Sequence, residues 1–443
     1  MYDPDLHLFL DDSEILTRIH LPRLTQTLRR ESLEPVLRPD GGDEGTGIGY
    51  AFCLRDAETG EYRLWYTCYS DGMVRLAVSR DGREWAKQGC ALPGSAGIRV
   101  DNLTLAGKAD TADDWFADAQ YVGVCFCKFE KDNSKGLYLL RSRDGRTLER
   151  ETSGILPGVG DRSSLLYDEI NREYLFFSRP GLFKLPGVKE GELLQPRVAR
   201  LWKSTDLVHW TDYGVVLKAD DNDPPDVEIY GFQPFRCGRG FLGLLETYHK
   251  EMERLDTQLI SSPDGVHWNR LGDRSPVLSR GGEGAWDSHW VVPTFNPPIP
   301  EGDRLWVFYS GAGTKHGSKK NHQRAIGLAS MRREGWVSLE ASRTEGVLVT
   351  NPLPLKKPMK LEVNVNCRTG FIKAEVIEAK EGCPNEPLPG YDGDSSYIEF
   401  ADAVRIPIRW GEKTVVEPVA AGACYLRFTM KQASFFSYRW SEA

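Results

Sequence analysis

The chain has 443 residues, a formal net charge of −8 and an isoelectric point near 5.7. Its length predicts one large domain and one small one, and the absence of a basic stretch argues against a nucleic-acid partner. The 44 Gly, 26 Pro, 12 Trp, 17 Tyr and 18 Phe, against only six Met, favour short strands and tight turns over long helices.

The N-terminal sequence MYDPDLHLFLDDSEIL has neither the basic region nor the long apolar run of a signal peptide. Since no membrane-length apolar run occurs elsewhere, we expect no membrane partner and a cytoplasmic location. The nine cysteines show no CxxC spacing, and Cys125 and Cys127 alternate along one predicted strand. They favour apolar fillers in a reducing compartment over a disulfide scaffold.

Residues 1–40 contain the segments HLPRL and EPVLRPD, which do not fit the repeat that follows. We expect them to form an N-terminal arm that packs on the next domain and supplies a closing strand.

A strand-turn motif recurs through the middle of the chain. SRDGREW (79–85), SRDGRTL (142–148), STDLVHW (204–210) and SPDGVHW (262–268) repeat at spacings of 63, 62 and 58 residues, and a degenerate copy, SMRREGW, lies at 330–336. In each copy the Asp is predicted to cap the turn, the Gly to accept a positive φ, and the Trp to pack between repeats. The motif is therefore interpreted as structural.

Each copy follows an alternating segment such as VRLAVS, and two further β-rich runs precede that segment. Three or four strands per repeat, five times over, predict an all-β, five-bladed β-propeller over residues 41–336. After Trp336 the repeat stops, and six or more alternating strands predict a β-sandwich at 337–443.

This organisation resembles the β-fructosidase-like superfamily, which contains glycoside hydrolase families 32 and 43. The segments EIYGFQPF, SPDGVHWNRLGDRSPVL, GAWDSHWVVPTF and LWVFYSGAGTKHG are similar to those of an uncharacterised branch. The resemblance implies a glycosidase whose axis carries three acids in the chain order Asp, Asp, Glu. It also implies a small oligosaccharide or glycoside as the partner.

The first predicted strands of blades two to five present Asp101, Asp161, Glu228 and Asp287. Glu228 has apolar neighbours in DVEIYGF and is the expected proton donor, since a raised pKa needs such a setting. The resemblance then implies that Asp101 is the base or nucleophile and Asp161 the modulator, with Asp287 as the rival base. The first-blade strand GIGYAF carries no acid, so the series starts one blade late.

Other polar or aromatic residues are expected to bind substrate. They are Arg162, Tyr230, Gln233, Glu246, His249, Trp286, His289 and His316. Trp286 is the expected stacking surface for a sugar face. Glu246 and His249 lie three apart and would point to opposite faces of a strand, so neither a metal site nor a cofactor is predicted.

Two other interpretations stay open. A propeller can bind carbohydrate or protein without catalysis, because fold alone does not confer activity. A phosphorylase or lyase on the same scaffold is the third interpretation, for which Tyr230 and His289 are candidate residues. The sugar, the stereochemical course, a central Ca²⁺ and the oligomeric state are not decided by the sequence.

Overall fold

The structure, a computed structural model, describes residues 2–93, 97–107, 114–132, 134–156, 159–180, 196–316, 318, 323–380 and 386–443. In these residues the regular structure is almost entirely β, with two short 3-10 helices at Asp114–Phe116 and Asp394–Ser396. The all-β prediction is confirmed. The same residues include no helix long and apolar enough to span a bilayer.

Four short strands lie at the N-terminus. They are β1 (Leu6–Leu8), β2 (Ile15–Ile19), β3 (Arg23–Thr25) and β4 (Arg29–Arg30).

Antiparallel units follow one another from residue 48 to residue 332. The first three units consist of β5 (Ile48–Arg55), β6 (Tyr62–Cys68), β7 (Val74–Ser79) and β8 (Ala86–Cys90); β9 (Ile98–Ala106), β10 (Tyr121–Phe129), β11 (Lys135–Ser142) and β12 (Glu149–Leu156); and β13 (Val159–Asp168), β14 (Glu173–Pro180), β15 (Ala199–Ser204) and β16 (Thr211–Leu217). The next strands are β17 (Val227–Cys237), β18 (Gly240–His249), β19 (Arg254–Ser262) and β20 (Asn269–Arg270), then β21 (Trp290–Pro293), β22 (Ile299–Glu301), β23 (Arg304–Ala312) and β24 (Arg324–Arg332).

Strands pair in chain order within each unit up to β20. In the last unit β21 pairs with β23 and β23 with β24, while the N-terminal strand β4 adds to β24 through Ala329↔Arg30 and Ser330↔Arg29. A strand from the start of the chain therefore completes the last unit. One parallel pair, Leu255↔Trp290, joins the last two units.

Buried apolar clusters lie between successive units. Trp65 and Leu103 belong to the cluster between the first and second units, and Phe126 and Phe176 to the next. Further clusters lie between the third and fourth and between the fourth and fifth units. Another joins the last unit to the first, where Tyr62 stacks on Trp306 with ring centroids 5.6 Å apart. The units thus form a closed ring, the arrangement of a β-propeller.

The recurring turns owe their shape to local hydrogen bonds. In the last full copy the Asp264 carboxylate accepts the amides of Val266 and His267 at 2.9 and 2.8 Å. Gly265 has φ of +76°, and the Trp268 indole donates to its carbonyl at 3.0 Å. The Trp268 ring also packs edge-on against Phe177 of the neighbouring unit, 5.9 Å between centroids. The motif is therefore a structural turn, as the sequence predicted.

The remaining nine strands, together with β1, β2 and β3, form two six-stranded sheets. They are β25 (Val337–Ala341), β26 (Gly346–Thr350), β27 (Leu353–Pro354), β28 (Met359–Asn366), β29 (Phe371–Glu378), β30 (Ile398–Glu399), β31 (Asp402–Pro407), β32 (Ala423–Lys431) and β33 (Ala433–Glu442). One sheet has the order β3-β25-β33-β28-β31 with β1 on β33, and the other the order β2-β26-β32-β29-β30 with β27 on β32. Alternate residues of β32, including Leu426 and Phe428, are fully buried.

The N-terminal segment, expected to be an arm on the propeller, divides between the two regions. Strands β1, β2 and β3 pair with β33, β26 and β25 of the C-terminal sheets, and β4 alone pairs with the last propeller unit. The expected closing strand is therefore β4. The eight cysteines in the described residues are all free, and all but Cys90 and Cys237 are buried, which fits their predicted role as apolar fillers.

Candidate functional site

The first strands of the units converge near their N-terminal ends. The Asn102 side-chain amide on β9 donates to Ser163 Oγ on β13 at 2.9 Å, and Ser164 Oγ donates to the Phe232 carbonyl on β17 at 2.7 Å. On opposite sides of the ring, the hydroxyls of Tyr50 and Tyr230 are 3.0 Å apart. These contacts place β5, β9, β13 and β17 around one axis.

Six aromatic side chains surround that axis, and we call them the aromatic cluster. They are Tyr50, Tyr69, Tyr230, Tyr248, Trp290 and His316. His316 stacks on Trp290 with centroids 5.0 Å apart, and its Nε2 is 3.0 Å from the Tyr230 hydroxyl. Burial raises the pKa of Tyr50, and the neighbouring Tyr230 adds to that rise. Tyr50 is therefore a neutral hydrogen-bonding group at ordinary pH.

Three of the predicted acids reach this cluster, each in an ion pair. Asp161 pairs with Arg179, and Asp101 pairs with Lys128. Glu228 pairs with Arg197 and also lies 3.3 Å from the Lys250 ammonium. All three acids lie on first strands, at the ends that meet at the axis.

The ion pairs also share aromatic partners. The Arg179 guanidinium carbon lies 4.9 Å from the centre of the Tyr230 ring, and that of Arg197 lies 5.7 Å from the same ring. Burial raises the pKa of Tyr69, and the charge of Asp101 contributes to the rise. The structure therefore brings Asp101, Asp161 and Glu228 together around the aromatic cluster.

Asp287 lies apart from the other three acids. Its carboxylate accepts from Arg30 Nε at 2.8 Å and from the Tyr309 hydroxyl at 3.0 Å, and it is almost completely buried. Trp286, the expected stacking surface, packs on Tyr309 with centroids 5.6 Å apart and donates to the Leu33 carbonyl at 2.9 Å. Asp287 and Trp286 thus bind the N-terminal segment to the last unit.

Arg162 and Glu246 form a buried bidentate pair below the cluster. Arg162 Nε is 2.5 Å from one Glu246 oxygen, and a terminal guanidinium nitrogen contacts the other oxygen. Burial lowers the pKa of Arg162, while the carboxylate beside it stabilises the charged form. A Cβ at Gly231 would lie 2.2 Å from Arg162 Cγ, so glycine is required there. The pair belongs to the interior rather than to an open pocket wall.

The remaining predicted binding residues differ in position. Gln233 is fully buried, and its amide donates to the Pro234 carbonyl at 3.0 Å. His249 Nε2 lies 3.3 Å from an Asp256 oxygen, and His289 Nδ1 is 3.0 Å from Ser288 Oγ. Burial lowers the pKa of His289, and nearby cations add to the effect. Of the predicted histidines, the structure places His316 in the aromatic cluster.

Several residues of the site were not predicted from the sequence. They are Tyr50, Tyr69, Lys128, Arg179, Arg197, Tyr248, Trp290 and Arg324. A basic residue at the end of an apolar strand, as in EYLFFSR, was an available signal. Tyr50 has φ of +44°, a backbone conformation that the residues around it in the sequence do not predict. In the described residues no group of three His, Cys, Asp or Glu is arranged to hold a metal ion.

Comparison with known proteins supports the fold. No family model and no curated protein sequence matches the chain. Among solved structures, β-1,2-mannobiose phosphorylase from Listeria innocua has a TM-score of 0.50 at 16% identity, covering 69% of this chain and 96% of that one. A thermostable family-43 glycoside hydrolase scores 0.49 at 13% identity, covering 65% and 89%.

The family-32 β-fructofuranosidase of Bombyx mori scores 0.44 at 10% identity and covers 93% of this chain and 94% of that one. The similarity to the mannobiose phosphorylase, at 16% identity, concerns the fold alone, which agrees with the closed ring of antiparallel units described above.

Proposed function

We propose that the chain is a glycoside hydrolase, or a transglycosylase of the same chemistry, that cleaves a terminal glycosidic bond at the aromatic cluster. The observation that carries the proposal is the convergence of Asp101, Asp161 and Glu228 around the aromatic cluster, Asp101 beside Tyr69 and the partners of the other two over Tyr230. Glycosidic cleavage needs paired carboxyl groups together with aromatic and hydrogen-bonding groups for the sugar. This site has both.

We further propose that the repeated units are the five blades of a propeller at residues 41–336, and that the C-terminal sheets form a β-sandwich at 337–443. The blade count is supported by the separate buried clusters between neighbouring units and by the contact of the last unit with the first. The sandwich is supported by the buried core that both six-stranded sheets share. In this arrangement residues 1–40 connect the two domains.

Within the site Glu228 is the proposed proton donor to the leaving oxygen. It is the acid buried among apolar neighbours on β17, and only 6% of it is exposed. In the structure it accepts from Arg197 and faces Lys250, so substrate must displace these cations from the carboxyl group before it can donate a proton.

Asp101 is the proposed base or nucleophile, and Asp161 orients the substrate through its pair with Arg179. A base has to reach a water molecule or the anomeric carbon. Asp101 is partly exposed beside the cluster, whereas Asp287 is buried against Arg30 and Tyr309. The contacts therefore favour Asp101 over Asp287 for this role.

The test is substitution of Glu228 by Gln in the full chain, assayed on a panel of aryl glycosides. We expect kcat to fall at least ~100-fold on substrates with poor leaving groups, and less on activated ones that do not need protonation. Glu251→Gln, an exposed change beside the same strand pair, is the control and should leave turnover unchanged. Equal turnover by Glu228→Gln and wild type would remove Glu228 from the mechanism.

A non-catalytic propeller that binds carbohydrate or protein is the second candidate. The ion pairing of all three axial acids favours it, because a carboxylate already bound to a cation is not presented to a glycosidic oxygen. Saturable binding of glycans by wild type, without turnover of any member of the panel, would establish this candidate in place of the hydrolase.

A further inference from the structure

Arg324 begins strand β24 and lies inside the aromatic cluster. Its guanidinium carbon is 3.8 Å from the centre of the Trp290 ring and 4.2 Å from that of Tyr69. Only 6% of the residue is exposed. The two rings therefore hold a buried cation next to the site.

Arg324 differs from four other cations around the axis. Arg162, Arg179, Arg197 and Lys128 each pair with a carboxylate, which is Glu246, Asp161, Glu228 and Asp101 respectively. In the part of the chain that the structure describes, Arg324 forms no ion pair with any acid, and its Nε has no hydrogen-bond partner.

A buried guanidinium without a carboxylate is costly, because it loses water and gains only partial compensation from aromatic rings. The rings also fix its orientation. Since Trp290 and Tyr69 contact the guanidinium, its Nε–H remains for an acceptor in the plane of the group. A carboxylate oxygen suits this donor, because a hydrogen bond between two charged groups is stronger than one to a neutral hydroxyl.

The charges around the axis favour an anion. Lys128, Arg162, Arg179 and Arg197 each face a carboxylate, and the half-exposed Lys250 shares Glu228 with Arg197. Among the described residues the buried charge of Arg324 is left without an acidic partner. A uronic acid carries one negative charge at neutral pH, whereas phosphate carries about 1.5. The aromatic rings and the Tyr50, Tyr230 and His316 groups suit the remaining faces and hydroxyls of a sugar.

We propose that the axial site takes an acidic saccharide and that Arg324 binds the carboxylate of its uronic acid unit. The inference rests on the proposed function for the identity of the site, but it concerns binding and can be tested without turnover.

The experiment is calorimetric titration of the full chain with glucuronic acid and galacturonic acid, with glucose and galactose as neutral counterparts and inorganic phosphate as a separate arm. We expect the uronic acids to bind and the neutral sugars to bind at least about tenfold more weakly, as loss of a charge-assisted hydrogen bond implies. Arg324→Gln should lose the same factor for uronic acids. Arg80→Gln, an exposed change on the propeller, should lose none.

Folding is monitored separately. Because Arg324→Gln removes a buried charge that two aromatic rings compensate only in part, its melting temperature without ligand should be close to that of wild type. Arg324→Lys keeps the charge without the planar edge, and it should bind uronic acids more weakly than wild type. Equal binding of uronic and neutral sugars, or uronic acid binding unchanged in Arg324→Gln, would overturn the proposal. Phosphate binding that requires Arg324, without uronic acid binding, would overturn it in favour of a phosphate site.

The two proposals fail in different ways. Glu228→Gln should keep uronic acid binding even where it loses turnover. Uronic acid binding that depends on Arg324, with no glycoside cleaved by wild type, would support the anion site and reject the hydrolase. Turnover of neutral glycosides without uronic acid binding would support the hydrolase and reject the anion site.

Discussion

The recurring turns and the axial site both contain acidic side chains, but the hydrogen-bond partners of those acids differ. In the turns Asp81, Asp144, Asp206 and Asp264 each accept two backbone amides within three residues of themselves. At the axis the partner of an acid comes from another strand or, for Glu228, from the segment before β15, and Arg162 and Glu246 are 84 residues apart.

The difference shows which acids are free to acquire a function. A turn aspartate uses its oxygens on the backbone that it shapes, so its role is fixed by a few adjacent residues. An axial acid is paired with a side chain that a ligand can displace, and one axial cation, Arg324, forms no ion pair among the described residues. Local acids therefore build the scaffold, and non-local ones are available for binding and chemistry.

The largest effect on stability is expected from breaking the buried axial pair. Arg162→Met leaves the Glu246 carboxylate buried without a cation, which should lower the free energy of unfolding by about 3–5 kcal/mol. Urea denaturation followed by intrinsic fluorescence measures the change.

Arg162→Met combined with Glu246→Leu is the matched control, because it removes both charges and leaves neither unpaired. The double variant should recover most of the lost stability. If the double variant is as unstable as the single one, the pair contributes to stability mainly by packing rather than by charge. The charge pairing would then no longer distinguish the axial acids from the turn acids.

A smaller loss is expected from Gly82→Ala in the first turn. Gly82 has φ of +68°, and a Cβ there would lie 2.5 Å from a ring carbon of Trp306 in the last unit. Backbone strain and the clash together should cost about 2–3 kcal/mol in the unfolding free energy. Gly89→Ala separates the two contributions, since Gly89 has φ of +86° and no atom within 4 Å of the added Cβ. Equal losses in the two variants would show that the Trp306 contact adds nothing.

Removing one turn carboxylate should cost still less. Asp264→Ala frees the amides of Val266 and His267, and loss of a capping side chain of this kind costs about 1 kcal/mol. The urea midpoint is the measurement, and Asp303→Ala, an exposed change in another turn, should shift it by less than about 0.5 kcal/mol. A shift in Asp264→Ala no larger than in Asp303→Ala would mean that the turn keeps its shape without the carboxylate.

The sequence predicts much of the scaffold because the turns are local. The spacing of Asp81 and Trp85, repeated along the chain, located the strands before and after each turn. The copy STDLVHW was recognisable too, although Leu207 takes φ of +66° where the other three full copies have Gly82, Gly145 and Gly265. Local chemistry and sequence agree at these positions.

The partners of distant strands were not predictable in the same way. Strand β1 pairs with β33, and Leu6 lies opposite Arg439. Backbone hydrogen bonds carry no information about which strand supplies them, so the apolar alternation of β1 could not show its partner.

The site was predicted only in part, because the local turns locate its acids but not the distant residues that pair with them. Chain order gave Asp101, Asp161 and Glu228, because first strands could be counted back from the turns. Apart from Arg162, the cations were missed, since a sequence does not show that Arg179 and Arg197 stack on one tyrosine or that Arg324 forms no ion pair among the described residues. Asp287 matched the same pattern, but the structure pairs it with Arg30 from the N-terminal strand.

The smallest expected effect is on the acid side of the stability profile, and it too separates local from non-local acids. Hydrogen bonds outweigh burial and hold the turn carboxyls below their usual pKa, with Asp206 at about 2. A pKa lowered in the folded state gives stability that is complete above the unfolded value near 3.8 and lost as the pH falls towards the folded one. Urea midpoints should therefore decline between about pH 4 and pH 2.

The Asp206→Asn variant should have a lower urea midpoint than wild type at pH 6, and its midpoint should decline less as the pH falls. The difference should be modest because the carboxylate is partly exposed and screened by solvent. A profile with the same slope in Asp206→Asn as in wild type would assign the acid sensitivity to the ion pairs between strands instead.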